Sequence, residues 1–251
     1  MKSKLVSTLL ILSVIITNHT VIAQNQDSLI IQKADELMNL LTTKNKNWDA
    51  SWCKNCHSDI FSVLSNLELP PKYKLRIRLP EMDGDHSHIY VWMSDIWEKD
   101  DNYLKYVKLK SITEESCWEW FLIYYMRNML PAYGHAAYDI GEMFYSEKQW
   151  KKQIEGLKDS FVPDSCMAEY EKNANLLSES KYNKIKETKI TPAQIILNAA
   201  KNEAIVSFYS WNDWEGLNYN QYDLKIKDDN TVEVANSTSE TIIKYWCGVL
   251  Y

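Results

Sequence analysis

Apolar positions are spread very unevenly along this chain. Between Ser111 and Leu130 they crowd together as Cys117, Trp118, Trp120, Phe121, Leu122, Ile123, Tyr124, Tyr125, Met126, Met129 and Leu130. Wound on a helix, these side chains point almost all the way round, so the stretch predicts a helix buried on most of its circumference. Ser111 and Glu114 stand in capping-box spacing at its start, and Pro131 closes it. Glu119, Arg127 and Asn128 are too polar, and the run too short, for a membrane span.

The neighbouring segments show cleaner periods. Ile30, Ala34, Leu37, Met38 and Leu41 repeat at three and four, predicting an amphipathic helix over 27–43. Ser58 is placed to cap a short helix carrying Ile60, Phe61, Val63, Leu64 and Leu67, which Pro70 and Pro71 end. Tyr73, Leu75, Ile77 and Leu79 alternate with Lys74, Arg76 and Arg78. That period predicts a strand, paired as a hairpin with a second over 88–94. A third strand is expected over 103–109.

Beyond Pro131 a helical piece is expected over 134–145. Ser146 and Gln149 then form another capping box before Trp150, Ile154, Leu157 and Phe161. A long helix is expected from Asp164 or Ser165 to about Lys186, with Met167, Tyr170, Ala174 and Leu177 on one side. Thr191, Pro192 and Gln194 read as a cap, an N1 proline and an N3 partner, predicting a short helix there. From Ala204 the period becomes two. Strands are expected over 204–211, 217–227, 231–235 and 241–250, with turn chemistry at 212–216 and 228–230.

These elements predict an α+β fold. A helical layer surrounds a central apolar helix (about 112–130), with an N-terminal β-hairpin (about 73–94) and a C-terminal antiparallel meander (about 204–250). Residues 24–251 form a single domain, helix-rich over 24–201 and β-rich over 204–251.

Residues 1–23 stand apart as a targeting segment. Lys2 and Lys4 precede an apolar run from Leu5 to Thr17, and Val21-Ile22-Ala23 fits a signal peptidase site. Cleavage near Ala23 exports the chain to a periplasmic or extracellular space, with no later run long enough to span a membrane. The net charge of −6 becomes about −8 once the two lysines leave. An acidic chain without a basic block excludes a nucleic-acid partner. The partner expected is a protein, a glycan or a small ligand.

Export changes how the five cysteines read. Cys53, Cys56, Cys117, Cys166 and Cys247 are free to form disulfides in an oxidising space, and the odd count leaves one over. Cys117 lies inside the apolar helix and fits a small core residue. The run Trp52-Cys53-Lys54-Asn55-Cys56-His57 admits four readings. A structural disulfide is the commonest fate of exported cysteines. A thiol–disulfide site would use Cys53 as nucleophile and Cys56 as resolving thiol. Trp48, Ala50 and Trp52 look like the lead-in of thioredoxin-type proteins. That lead-in should end a buried strand, which Lys44-Asn45-Lys46-Asn47 does not supply. The cis-proline of such proteins also has no match here, because Thr191-Pro192 reads as a helix start. Cys-x-x-Cys-His is also the haem-attachment pattern. Finally, Cys53, Cys56 and His57 could join His86, His88 or Asp85 around zinc. No cofactor is assigned.

Two further constellations carry chemistry. On the helix expected over 134–145, His135, Asp139 and Glu142 would share one face, as a base oriented by carboxylates or as a solvated surface. Trp211, Trp214, Tyr219 and Tyr222 gather around a β-turn, as a ligand platform or as core. Asp83-Gly84-Asp85 lacks the ligand spacing of a calcium loop and reads as a turn. The chain has no nucleotide-binding glycine loop, no Gly-x-Ser-x-Gly and no His-Glu-x-x-His. The reading favoured is an exported, non-catalytic binding or interaction module, the enzymatic rival being an oxidoreductase using Cys53 and Cys56.

Overall fold

A computed structural model describes residues 29–41, 56–71, 73, 75, 91–93, 96–98, 101–125, 142–158, 177–212 and 215–244. Over these the chain is a mixture of helices and mostly antiparallel sheet, as the α+β expectation has it. Among them no helix is long and apolar enough to cross a membrane. The targeting segment lies outside them.

Helix α1 occupies 29–41 and buries Ile30, Ala34, Leu37 and Leu41, the stripe its period marks out. Helix α2, Cys56–Val63, starts two residues before the cap expected at Ser58. It runs through a turn into β1, Leu67–Glu68. Of the expected hairpin, Val91–Met93 (β2) is described, and it pairs antiparallel with Ile96–Glu98 (β3). Most of 73–90 lies outside the described residues.

The strand expected over 103–109 is instead a 3-10 turn, Asp101–Tyr106, followed by the short β4, Lys108–Leu109. Leu104 and Val107 are both buried. Their three-residue spacing fits a 3-10 turn and conflicts with alternation. β4 pairs with β1.

The central helix α3 is Glu114–Tyr125, and most of its residues are buried, from Ser116 to Ile123 without a break. Its cap lies two residues beyond the expected Ser111. The Ser116 backbone N–H donates to Thr113 Oγ1 at 3.1 Å, and the Thr113 N–H donates to Ser116 Oγ at 3.0 Å. The Ser116 hydroxyl then donates to the Ser111 carbonyl at 2.6 Å, so Ser111 serves as acceptor in the approach to the helix.

Residues 142–144 form a strand, β5 (Glu142–Phe144), where a helix is expected. Their backbone pairs with Trp211, Ser210 and Tyr209, which outweighs the local helical spacing. The Ser146–Gln149 capping box is present and starts α4, Glu147–Leu157. Gln149 Oε1 accepts the backbone N–H groups of Tyr145 at 2.8 Å and Ser146 at 3.1 Å. Of the long helix expected to reach Lys186, residues 164–176 lie outside the described residues. Ser178 is extended and caps a new helix, α5 (Glu179–Glu187), accepting the Lys181 N–H at 3.2 Å.

The Thr191-Pro192-Gln194 signal proves to be a strand start rather than a helix start. Gln194–Asn198 is β6, paired with Glu203–Ser207 of β7 (Glu203–Asn212). β7 continues into β8 (Gly216–Ile226) and β9 (Val232–Lys244), the expected meander. Gly216 takes φ 96° and Asn230 takes φ 64°, the left-handed geometry the two connections need. In the second connection Asp229 accepts the Thr231 hydroxyl at 2.7 Å and its N–H at 3.2 Å, and these bonds hold its pKa down to about 2. The two final strands expected are one, because β9 runs unbroken from Val232 to Lys244. β5 and β6 share the edge of β7 away from β8, giving five strands among the described residues.

Alternation along β7 and β8 divides the sheet into two faces. One carries Ala204, Val206, Phe208, Tyr222, Leu224 and Ile226, and α3 lies against it. Phe121 sits 5.6 Å from Phe208 and 5.0 Å from Tyr222 between ring centres. The other face carries Tyr209, Trp211 and Leu217, which join Phe144 and Trp150 in a second core with α4 and α5.

Candidate functional site

The expected aromatic platform is taken apart by this alternation. Trp211 is only 3% exposed and packs 6.1 Å from Trp150. Tyr219 lies beside Tyr209 on the Trp211 face, at 5.1 Å. Tyr222 points to the opposite face, against Phe121 and Tyr124. The three therefore share no exposed patch, and Trp214 lies outside the described residues. Glu142 is exposed on β5, so a helical face shared with His135 and Asp139 does not extend to it. His135 and Asp139 are outside the described residues.

Cys56 is the first residue of α2, while Cys53 is outside the described residues, as are Asp85, His86 and His88. The Leu75 backbone N–H donates to His57 Nδ1 at 3.1 Å, and the ring lies 4.9 Å from Phe61. That bond uses the Nδ1 lone pair and puts the proton of the neutral ring on Nε2. As held here, Nδ1 has no lone pair to offer zinc or haem iron. Cys117 is a free, fully buried thiol, and burial pushes its pKa up to about 12. Such a thiol is inert.

A buried charge cluster holds three elements together. Glu119 of α3 is 0% exposed. It accepts the Asn66 backbone N–H at 2.7 Å and its side-chain amide at 2.9 Å. Lys33 Nζ of α1 lies 3.0 Å from Glu119, 3.7 Å from Glu115, and donates to the Val63 carbonyl at 2.8 Å. Burial pushes the Glu119 pKa up, and the bonds from Asn66 and Lys33 counter it. Every strong group here has partners, so the cluster is a clamp between α1, the turn after α2, and α3. Both charges were visible as anomalies in the sequence. Lys33 falls within the apolar stripe of α1, three after Ile30 and four before Leu37, and Glu119 falls within the helix that is apolar all round.

Beside this clamp a cavity of about 330 Å³ opens between α1, the first turn of α3, and β6. Its lining is Leu29, Ile30, Thr113, Glu114, Glu115, Trp118 and Ile195. Ile30, Trp118 and Ile195 are buried and make an apolar floor. The Trp118 indole is fixed by donating to the Ile30 carbonyl at 3.1 Å and by stacking on Phe121 at 6.0 Å. Thr113, Glu114 and Glu115 retain exposure and form the rim. Glu114 Oε1 accepts the Leu197 N–H at 3.3 Å, tying the rim to β6. The volume is near the lower end for ligand pockets and about twice a ~150 Å³ cavity that takes benzene. Nothing in the sequence marks it, because its residues come from three distant segments and form no local motif.

No family model matches the chain. Comparison with curated proteins and with solved structures also finds no match. The chemistry of the cleft therefore has to speak for itself. It offers an apolar floor for hydrocarbon and a rim of two carboxylates, Glu114 bonded to the Leu197 N–H and Glu115 beside Lys33. It shows no nucleophile with an adjacent base among its lining side chains.

Proposed function

We propose that this chain is exported, is processed near Ala23, and acts as a non-catalytic binding module. Its cleft between α1, α3 and β6 takes a small apolar group that carries a positive charge. Disulfide bonding among the cysteines other than Cys117 belongs to the same proposal. One observation carries it, namely the pairing of a buried Ile30–Trp118–Ile195 floor with Glu114 and Glu115 at the rim. Apolar pockets with a few placed polar groups are the usual form of small-ligand sites. A carboxylate rim selects by charge more than by raw affinity.

The test is calorimetric titration with three ligands on one phenylethyl frame, 2-phenylethylammonium, 2-phenylethanol and 3-phenylpropionate. The cation should bind saturably at one site, the alcohol more weakly, and the carboxylate least. Glu115→Gln should narrow the gap between cation and alcohol. Absence of saturable binding, or equal binding of all three, would overturn the reading.

The rival function rests on a different observation, that Cys56 opens α2. A Cys-x-x-Cys run leading into a helix start is where a thiolate is stabilised. Thiol counting on native protein, with and without reductant, decides it. A reversible Cys53–Cys56 couple with a reactive Cys53 would favour the oxidoreductase, and a bond that resists reduction would favour the binding module.

A further inference from the structure

Among the described residues β9 is the outermost strand of the sheet, paired with β8 along one edge only. Residues 235–242 are exposed throughout. Natural edge strands are usually blunted by lysines, prolines, bulges or covering segments. Between Val234 and Ile243 this one contains no lysine and no proline, and its single charge is Glu240. Register shifts against β8 fall near both ends of the strand, between Asp223 and Leu224 and between Leu217 and Asn218. The stretch Asn236–Thr241 between them pairs regularly with β8.

The sequence of that stretch is close to self-complementary. Turned about Thr238, it places Thr238 on Thr238 of a second copy, Ser237 on Ser239, and Asn236 on Glu240. Hydroxyl pairs of this kind are among the favourable cross-strand contacts. The Asn236 amide donates one hydrogen to Asp223 Oδ2 at 3.2 Å and has a second to offer. Centring the pairing on Glu240 would set like charges directly opposite, and centring it on Thr238 separates them. We propose that the outer edge of β9 is a homodimer interface. Two copies pair antiparallel about Thr238, joining two five-stranded sheets into one. This inference is independent of the cleft.

The experiment is sedimentation equilibrium of the mature chain across a range of concentrations. Wild type should show a reversible monomer–dimer equilibrium. Thr238→Lys puts like charges opposite each other on the twofold and should weaken dimerisation about tenfold, as should Thr238→Glu. Thr238 is exposed, so unchanged thermal unfolding of each variant should confirm an intact fold. Mixing the two variants in equal amounts should restore a heterodimer at least as tight as wild type. A wild type that stays monomeric throughout would overturn the proposal and leave the edge to a strand from another protein. Variants that dimerise as well as wild type would also overturn it.

Discussion

The two faces of the β7–β8 sheet are built from the same alternation and end up very differently covered. On the face toward α3, Ala204, Val206, Phe208, Leu224 and Ile226 are all buried. On the opposite face burial is confined to the end near α4, at Trp211 and Leu217, while Ile205 is 39% exposed and its partner Ile196 is 60% exposed. The difference comes from the helices. α3 is apolar around its circumference and fills the first face, whereas α4 and α5 each offer one narrow stripe. A strand period says that two faces exist and leaves open how far each is covered.

The comparison can be broken hardest at Phe121, which touches both Phe208 and Tyr222. Phe121→Ala should cost about 3–5 kcal/mol in denaturant unfolding, through lost burial and the cavity left behind. On the other face Ile205→Thr keeps the β-branch on a half-open surface and should stay within about 0.5 kcal/mol of wild type by the same measurement. Equal losses at the two positions would mean that the faces are covered alike.

Between these extremes lies the clamp. Lys33→Met leaves Glu119 buried without its counter-ion and should cost about 3–5 kcal/mol at neutral pH. Burial raises the Glu119 pKa in the folded state. The stability it contributes is thus fully present below its unfolded pKa and is lost as pH rises through its folded pKa. The stability of wild type relative to Glu119→Gln should accordingly fall with rising pH over that window. A difference that is flat, or that rises, would show the bonds from Lys33 and Asn66 to outweigh desolvation.

How much of this was legible depends on the range of the forces involved. The stripe of α1, the all-round apolar α3 and the Ser146–Gln149 cap are local signals, and each is present. Thr191-Pro192-Gln194 is equally good local chemistry for a helix, yet Ile195 and Leu197 are taken into pairing with β7. The polar Asn236–Glu240 stretch reads as a gap between two strands, because an edge strand needs no apolar face to remain a strand. Trp211 was readable as platform or as core, and the choice rests on Trp150, which reaches it from another element. Lys33 and Glu119 were each out of place in an apolar stripe, and only the fold shows that they are out of place together.

The depth of Cys117 bears on the order in which the molecule matures. On the export proposed above, the chain would meet oxidant before it has an interior. During that interval Cys117 would compete with Cys53, Cys56, Cys166 and Cys247 for partners. Docking of α3 withdraws it, and an even set of thiols remains with only a few ways to pair. On that proposal early closure of this helix would act as a proofreading step for oxidation, and a variant slow to dock it should accumulate scrambled, Cys117-linked forms.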